Sequence, residues 1–435
     1  MHFPGYTGGV TVTHTFEEPT WARSARAAAL EASRTLPVPS QETEEWRYTD
    51  VSGIDLDSFE PFAPGIVAEN LDGIEEGVQA AAGVVGERSG LLIQHNSQTA
   101  TAHLDPDLEG QGVRLAGLDE ALRDHPELLE DRLHALVTPD RTKLTAMHAA
   151  LRTGGTFVLV PRGVQVELPL QSLVHLDAAG TAVFPHTVLV AEEGSSVTVI
   201  DRYSSPDLES ALSLAHVEIF AGPNSQVRYI SLQDWGRGVT HLSVLRTRLA
   251  RDAQVRTLAV SFGADLSRTE VESILAEPGA HSEMLGVYFT DGTQHVDHRS
   301  LQDHVAPHCT SDLLYKGALR DASRVVYSGL IHIAPGARGS DAYQTNRNVV
   351  LSPDAKADSI PNLEIENNDV RCSHAASVGP VDEDEVFYLQ SRGIPHDEAE
   401  RLIVTGFFAE VLDRIPLEEV RSGLDEAIDL ELRGK

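Results

Sequence analysis

The chain has 435 residues, of which 66 are acidic and 34 basic, for a formal charge of −32. Hydrophobic side chains make up 41% of it, enough for a sizeable core, so wholesale disorder is excluded. Such acidity also argues against a general binder of nucleic acid or anionic membrane, which needs clustered Lys and Arg, and favours cations or basic proteins as partners.

The first 20 residues or so are rich in Gly and Thr and read as a loose arm. From Trp21 to about Leu36 the Ala and apolar positions predict a helix, which Pro37 and Pro39 stop. Glu44-Glu45-Trp46-Arg47-Tyr48-Thr49-Asp50 follows, polar but carrying two large aromatics, and residues 51–115 show no clear period. Helical signal returns between Leu118 and Arg152, through Leu122, Leu128, Leu129, Leu133, Leu136, Leu144, Met147 and Leu151, and Gly154-Gly155 ends it.

From Thr156 to about Gly379 the chain becomes a series of short β-like runs. Thr156–Val160, Val164–Leu168, Thr187–Val190, Val197–Asp201, Val217–Phe220, Val227–Leu232 and Val255–Val260 are rich in Val, Ile and Thr, and most are bounded by Gly, Pro, Asp or Asn. No convincing helix alternates with them, which excludes a doubly wound α/β sheet. Glu193-Gly194-Ser195-Ser196-Val197, Pro223-Asn224-Ser225-Gln226-Val227 and Arg251-Asp252-Ala253-Gln254-Val255 share one plan: turn residue, small residue, polar residue, β-branched residue. Glu277-Pro278-Gly279-Ala280, Arg320-Asp321-Ala322, Pro335-Gly336-Ala337 and Pro353-Asp354-Ala355 continue it, with steps of 30, 28 and 27 and then 42, 15 and 18. Such steps suit the coils of a β-solenoid. A β-sandwich is the alternative, although its hairpin dipeptides are scarce: Asn-Gly is absent and Asp291-Gly292 stands alone in this region.

After Gly379 three helices are predicted, over Asp382–Arg392, His396–Arg414 and Leu417–Leu432, the second with an apolar stripe through Ala399, Leu402, Ile403, Phe407 and Val411. This appendage suits either a partner surface or a cap on the exposed end of a solenoid. The chain thus divides into a helix-containing region 1–155, a β core 156–380 and a helical region 381–435.

Two cysteines, Cys309 and Cys372, cannot build a disulfide framework, and a reducing compartment is expected. The N-terminus has no basic and apolar signal-peptide pattern, and no apolar run nears the roughly 20 residues that cross a bilayer. A soluble, cytoplasmic chain is the simplest expectation. There is no Gly-x-x-x-x-Gly-Lys-Ser/Thr loop, no Gly-x-Gly-x-x-Gly after a strand, no Gly-x-Ser-x-Gly and no Cys-x-x-Cys, so no familiar nucleotide, dinucleotide or serine-hydrolase site is expected.

Two constellations could hold a metal. His295, His298, His304, His308 and Cys309 crowd within 15 positions, but on a strand the i, i+3 pair His295 and His298 would face opposite ways, so loop histidines and a buried cysteine are the plainer reading. In Glu364-Ile365-Glu366-Asn367-Asn368-Asp369-Val370-Arg371-Cys372-Ser373-His374, an extended strand puts Cys372 and His374 on one face. Two ligands do not complete a site, so others must come from elsewhere in the chain or from a second chain.

These residues carry a resemblance. Asn362-Leu363-Glu364-Ile365, Asp369 through Gly379, and Phe387-Tyr388-Leu389-Gln390-Ser391-Arg392-Gly393-Ile394 resemble the C-terminal signature of the SufB/SufD family, scaffolds of the SUF iron–sulfur assembly system. Tyr315-Lys316-Gly317, Ser328-Gly329-Leu330-Ile331 and the opening Glu44 through Thr49 motif resemble it too. Cys-Ser-His is similar to the SufD branch, whereas SufB usually carries His-Glu-Ala there and a cysteine in the strand before, where this chain reads Thr345-Asn346-Arg347-Asn348. Ala375 departs from the family's usual Gly, and a slightly different turn is expected there.

The resemblance implies a right-handed parallel β-helix flanked by N- and C-terminal helical regions and a non-catalytic role. It implies pairing with SufB, docking of the ATPase SufC on the C-terminal region, and a nascent iron–sulfur cluster held transiently near His374 and Cys372 with no tightly bound cofactor. Reduced flavin is linked to the family, and a homodimer in isolation is compatible with it. Phe387, Tyr388, Arg392, Gly393 and Phe407 are the candidate partner-facing residues. A polysaccharide-active β-helix enzyme and a homodimeric SufB-like scaffold are the competing readings.

Overall fold

Runs of Val, Ile, Leu and Thr favour pleated backbone, and here each run finds its partner one turn of chain away. Gln226–Asp234 pairs in parallel with Ser196–Ser204 on one side and Gln254–Ser261 on the other, aligning Val227 with Val197 and Val255. The computed structural model, which describes residues 18–68, 70–83 and 86–433, repeats this arrangement into two ten-stranded sheets between which the chain alternates. The protein is mainly β, a parallel solenoid with helices before and after it. That decides against a sandwich. The expected N-terminal arm lies, up to residue 17, outside the described residues.

Most core strands run 8–11 residues, longer than the apolar runs alone, because polar residues on the outward positions extend the ladder. Val164–Leu168 is not a strand and makes one isolated bridge, Gln165 to Ser196. Upstream, residues 51–115 contribute Gly90–His95, Gln98–Leu104 and Arg114–Gly117. Both outermost strands at this end pair antiparallel, Gln98–Leu104 with Gly90–His95 and Arg114–Gly117 with Thr156–Val160.

The corners explain the repeat. Gly194, Asn224, Asp252, Gly279, His308 and Gly339 all adopt left-handed backbone, with φ from 56° to 77°, a conformation that Gly tolerates best and Asn and Asp better than most. The next residue in each case is small and buried: Ser195, Ser225, Ala253, Ala280, Cys309 and Ser340. The repeat therefore continues through Cys309. Asp321-Ala322 and Asp354-Ala355 precede strands of the other sheet, so mixing the two sets of corners produced the irregular later steps.

The predicted helix over 118–152 is broken. Leu118–Asp124 and Lys143–Leu151 are helical. Between them the backbone amides of His134, Leu136 and Val137 donate to the Glu218 carboxylate at 2.6–2.9 Å instead of to a helical ladder. Thr20–Thr35 forms as predicted. The Glu44 through Thr49 motif fastens this region to the solenoid: the Arg268 guanidinium lies 3.8 Å over the Trp46 ring, and Thr49 donates to Asp297 Oδ2 at 2.6 Å. Burial opposes the Asp297 charge, but Arg268 and Arg299 outweigh it and hold that carboxyl below its usual range.

Helices Glu383–Ser391, His396–Leu412 and Glu418–Arg433 follow the solenoid. The last two lay Val404, Phe408, Val411, Leu424 and Ile428 against Leu232, Leu258, Val260, Leu285 and Val287. They cover an outer sheet face and do not cap the solenoid's end.

Inside, Tyr288, Tyr315 and Tyr327 are fully buried, and glycines make room for two of them. Gly317 is the register partner of Tyr288 and Gly286 of Tyr315; a Cβ at either would fall on the neighbouring ring. Gly317→Ala should therefore destabilise the chain by about 1–3 kcal/mol, as overpacking does. Chemical denaturation of the full chain checks it, with an unchanged midpoint as the contrary result.

Candidate functional site in the last coil

The last strand of one sheet is Lys356–Ile365 and of the other Arg371–Pro380, and among the described residues each is paired on one side only. Register identifies what they show to the end. Leu363 and Ile365 align with Ile331 and Ile333, which are fully buried; Cys372 and His374 align with Ala342 and Gln344, also buried. The last coil thus carries the inward row of the solenoid with no further coil over it. Leu363, Ile365 and Val378 are accordingly 37, 43 and 45% exposed.

Cys372 is half-buried against Ile331, Ile333 and Ala342, and His374, two positions on along the same row, is exposed. Below His374 the Gln344 amide is buried with neither polar atom paired. Burial pushes the Cys372 thiol up, so it must lose its proton on meeting a metal to act as a ligand. An imidazole and a thiol on one face of an edge strand are donor types that soft metal ions take, and two donors alone do not complete a tetrahedral site.

Comparison with known proteins fits this geometry. Residues 82–172 match the family described as the SufBD protein N-terminal region, and residues 174–407 match the SufBD core domain of SUF-system FeS cluster assembly. The chain belongs to the SufBD family. It is 31% identical to the iron–sulfur cluster assembly protein SufD of Bacillus subtilis, over 96% of this chain and 95% of that one. Identity to SufB of the same organism is 27%, covering 96% and 90%. A SufBD family protein of Mycobacterium tuberculosis is 37% identical over 64% of this chain and 71% of its own.

Within this family frame, Ala375 needs no turn: it sits in mid-strand, in register with Thr345, where extended backbone suits alanine. That corrects the expected local departure. The strand before, Asp341–Val350, holds Thr345, Asn346, Arg347 and Asn348 and no cysteine.

The other predicted constellation does not converge. His295 donates from Nε2 to Thr49 Oγ1 at 3.0 Å, His298 is buried between the Tyr288 and Tyr315 rings, and His304 bonds Ser311 Oγ at 2.8 Å. Burial lowers both His298 and His304 to about 4, and inside the solenoid they remain neutral. His308 is the left-handed corner residue, and Cys309 is the small one after it.

Of the candidate partner-facing residues, Phe387 and Tyr388 are 71 and 55% exposed. Arg392 stacks 4.8 Å over the Tyr388 ring and bonds its hydroxyl at 2.6 Å; Gly393, at φ 88°, ends the helix. Phe407 is placed differently. It is half-buried beside Phe408, with Lys316 Nζ 4.6 Å over its ring and 2.7 Å from its carbonyl, so it seats the helix on the solenoid.

Another group was missed by sequence reasoning. His134, His148, His186 and His216 meet with one ring nitrogen each, all within 4.8 Å of one another. Spread over more than 80 residues in a loop, a helix and two strands, they have no motif spacing; a histidine opening one apolar strand and another within a second were the available signal.

The two cysteines should differ sharply in reactivity. Iodoacetamide near neutral pH should modify Cys372 slowly, faster as pH rises toward its raised pKa, and leave Cys309 untouched until the chain unfolds. Mass spectrometry of the folded and denatured chain checks this; equal labelling would contradict the assigned burial.

Proposed function

We propose that this chain is a non-catalytic scaffold subunit that assembles iron–sulfur clusters with SufB and the ATPase SufC, acting as a SufD subunit in the cytoplasm. The observation that carries the reading is the uncovered last coil. Two unpaired strand edges and an inward row with no cover form a surface that a second β-solenoid can extend, strand on strand. A partner docked there brings its own row of side chains beside Cys372 and His374. The cluster is cargo, held between two chains until it is passed on, and neither chain alone supplies a full ligand set.

The second interface is the exposed Phe387–Tyr388 pair with Arg392 behind it. Two large aromatics beside an arginine are typical energetic centres of protein interfaces. Their place on the short helix Glu383–Ser391, immediately after the last coil, suits docking of an ATPase whose motion reaches the cluster site. The absence of a phosphate loop from the sequence accords with nucleotide hydrolysis residing in that partner.

In an anaerobically co-expressed complex, His374→Ala should reduce bound iron and sulfide at least severalfold while leaving the melting temperature and SufB association unchanged. A normal cluster yield would remove His374 from the mechanism. The double variant Phe387→Ala/Tyr388→Ala should weaken retention of SufC by about tenfold or more, as hot-spot truncation does, with SufB still bound. Unchanged SufC affinity by titration calorimetry would place that interface elsewhere.

A further inference from the structure

The histidine group lies where the N-terminal region meets the outer face of the solenoid. His186 and His216 are register partners on the adjacent strands His186–Ala191 and Ala211–Ala221. His148 comes down from the helix Lys143–Leu151 and stacks on His216, ring centroids 3.6 Å apart. His134 arrives from the loop before that helix, its ring 4.8 Å from that of His186.

Hydrogen bonding fixes the proton in two of the four rings. His148 Nε2 lies 3.1 Å from the Pro185 carbonyl, which only accepts, so Nε2 carries the proton. His186 Nε2 lies 2.8 Å from Glu218 Oε2, so it too donates. In both rings the Nδ1 lone pair is then left over. The Nδ1 atoms of all four histidines are buried with no hydrogen-bond partner, and His148, His186 and His216 are at most 3% exposed. Four buried, unpaired ring nitrogens on four neighbouring imidazoles, at least two of them acceptors, are poorly served by a purely structural role, since buried polar atoms are normally paired.

The surroundings are built to hold them. Glu218, fully buried, fixes the His186 ring and accepts the backbone amides of His134, Leu136 and Val137. It thereby holds the His134 loop, including the left-handed backbone of His134 at φ 62°. A carboxylate that orients a ligand imidazole from behind is a recurrent feature of metal centres.

We propose that His134, His148, His186 and His216 form a buried tetrahedral site for a Zn²⁺-class divalent cation that ties the N-terminal region to the solenoid. Metal–nitrogen bonds of about 2.0–2.1 Å need nitrogens roughly 3.4 Å apart, a closure from 4.8 Å that small ring rotations supply. The four ligands come from four elements, and Glu218 is a positioning residue. The site is separate in place and in role from the cluster-binding coil.

Tag-free full chain, stripped with a chelator and titrated anaerobically with Co²⁺ alone, should bind one equivalent with the intense d–d absorption of tetrahedral cobalt, displaced by Zn²⁺. Zn²⁺ should also raise the melting temperature of the stripped wild-type chain. His148→Gln/His216→Gln should abolish the spectrum, Glu218→Gln should weaken affinity about 10–100-fold, and His374→Ala should leave both unchanged. The wild-type thermal shift keeps the test decisive if the double variant fails to fold. A stripped wild-type chain that takes up no Co²⁺ and shows no Zn²⁺-dependent shift would overturn the proposal, as would a cobalt spectrum that persists in a folded double variant.

Discussion

In a parallel solenoid each strand satisfies its backbone groups only on the strands of the coil before and the coil after. Every coil here depends on two neighbours, and the first and last coils cannot have them both. At the N-terminal end both sheets finish in antiparallel strands, Gln98–Leu104 and Arg114–Gly117, the second only four residues long. The C-terminal end has no such ending among the described residues, and two ten-residue strands stand with one edge free. Long free edges are a liability in a lone chain, and this is the edge on which the proposed pairing with a second solenoid rests.

The same geometry decides where other elements can go. Each sheet turns one face inward to the shared core, so the helices are left with the outer faces. The N-terminal helices take one, through Leu144, Met147 and Leu151 on Leu212 and Leu214; the C-terminal helices take the other, through Phe408 and Val411 on Leu285 and Val287. The last coil stands at the end of both sheets, and its inward row is left bare. Among the described residues, Cys372 and His374, with Leu363 and Ile365, sit on inward row that no further coil conceals.

Much of this was legible in the residues. The turn–small–polar–β-branched plan named the coil, because the corner needs left-handed backbone followed by a side chain small enough to turn inward. The scheme faltered where His308-Cys309 filled the corner, since neither residue advertises a turn, and the two were grouped instead with His295, His298 and His304, for which loop histidines and a buried cysteine were the plainer reading. The broken helix after Asp124 was illegible for a related reason. Its leucines keep a helical rhythm, yet Glu218, far along the chain, takes the amides that a helix would have used.

Spacing and motif favoured the solenoid over a sandwich and located its terminal helices and the Cys372–His374 pair, because strand period and corner chemistry are local properties of the chain. Which inward row ends uncovered, which helix covers which face, and which four histidines meet were decided by tertiary structure alone. Those outcomes depend on register between coils about 30 residues apart and on contacts such as Glu218 with the 134–137 loop, which no local pattern encodes.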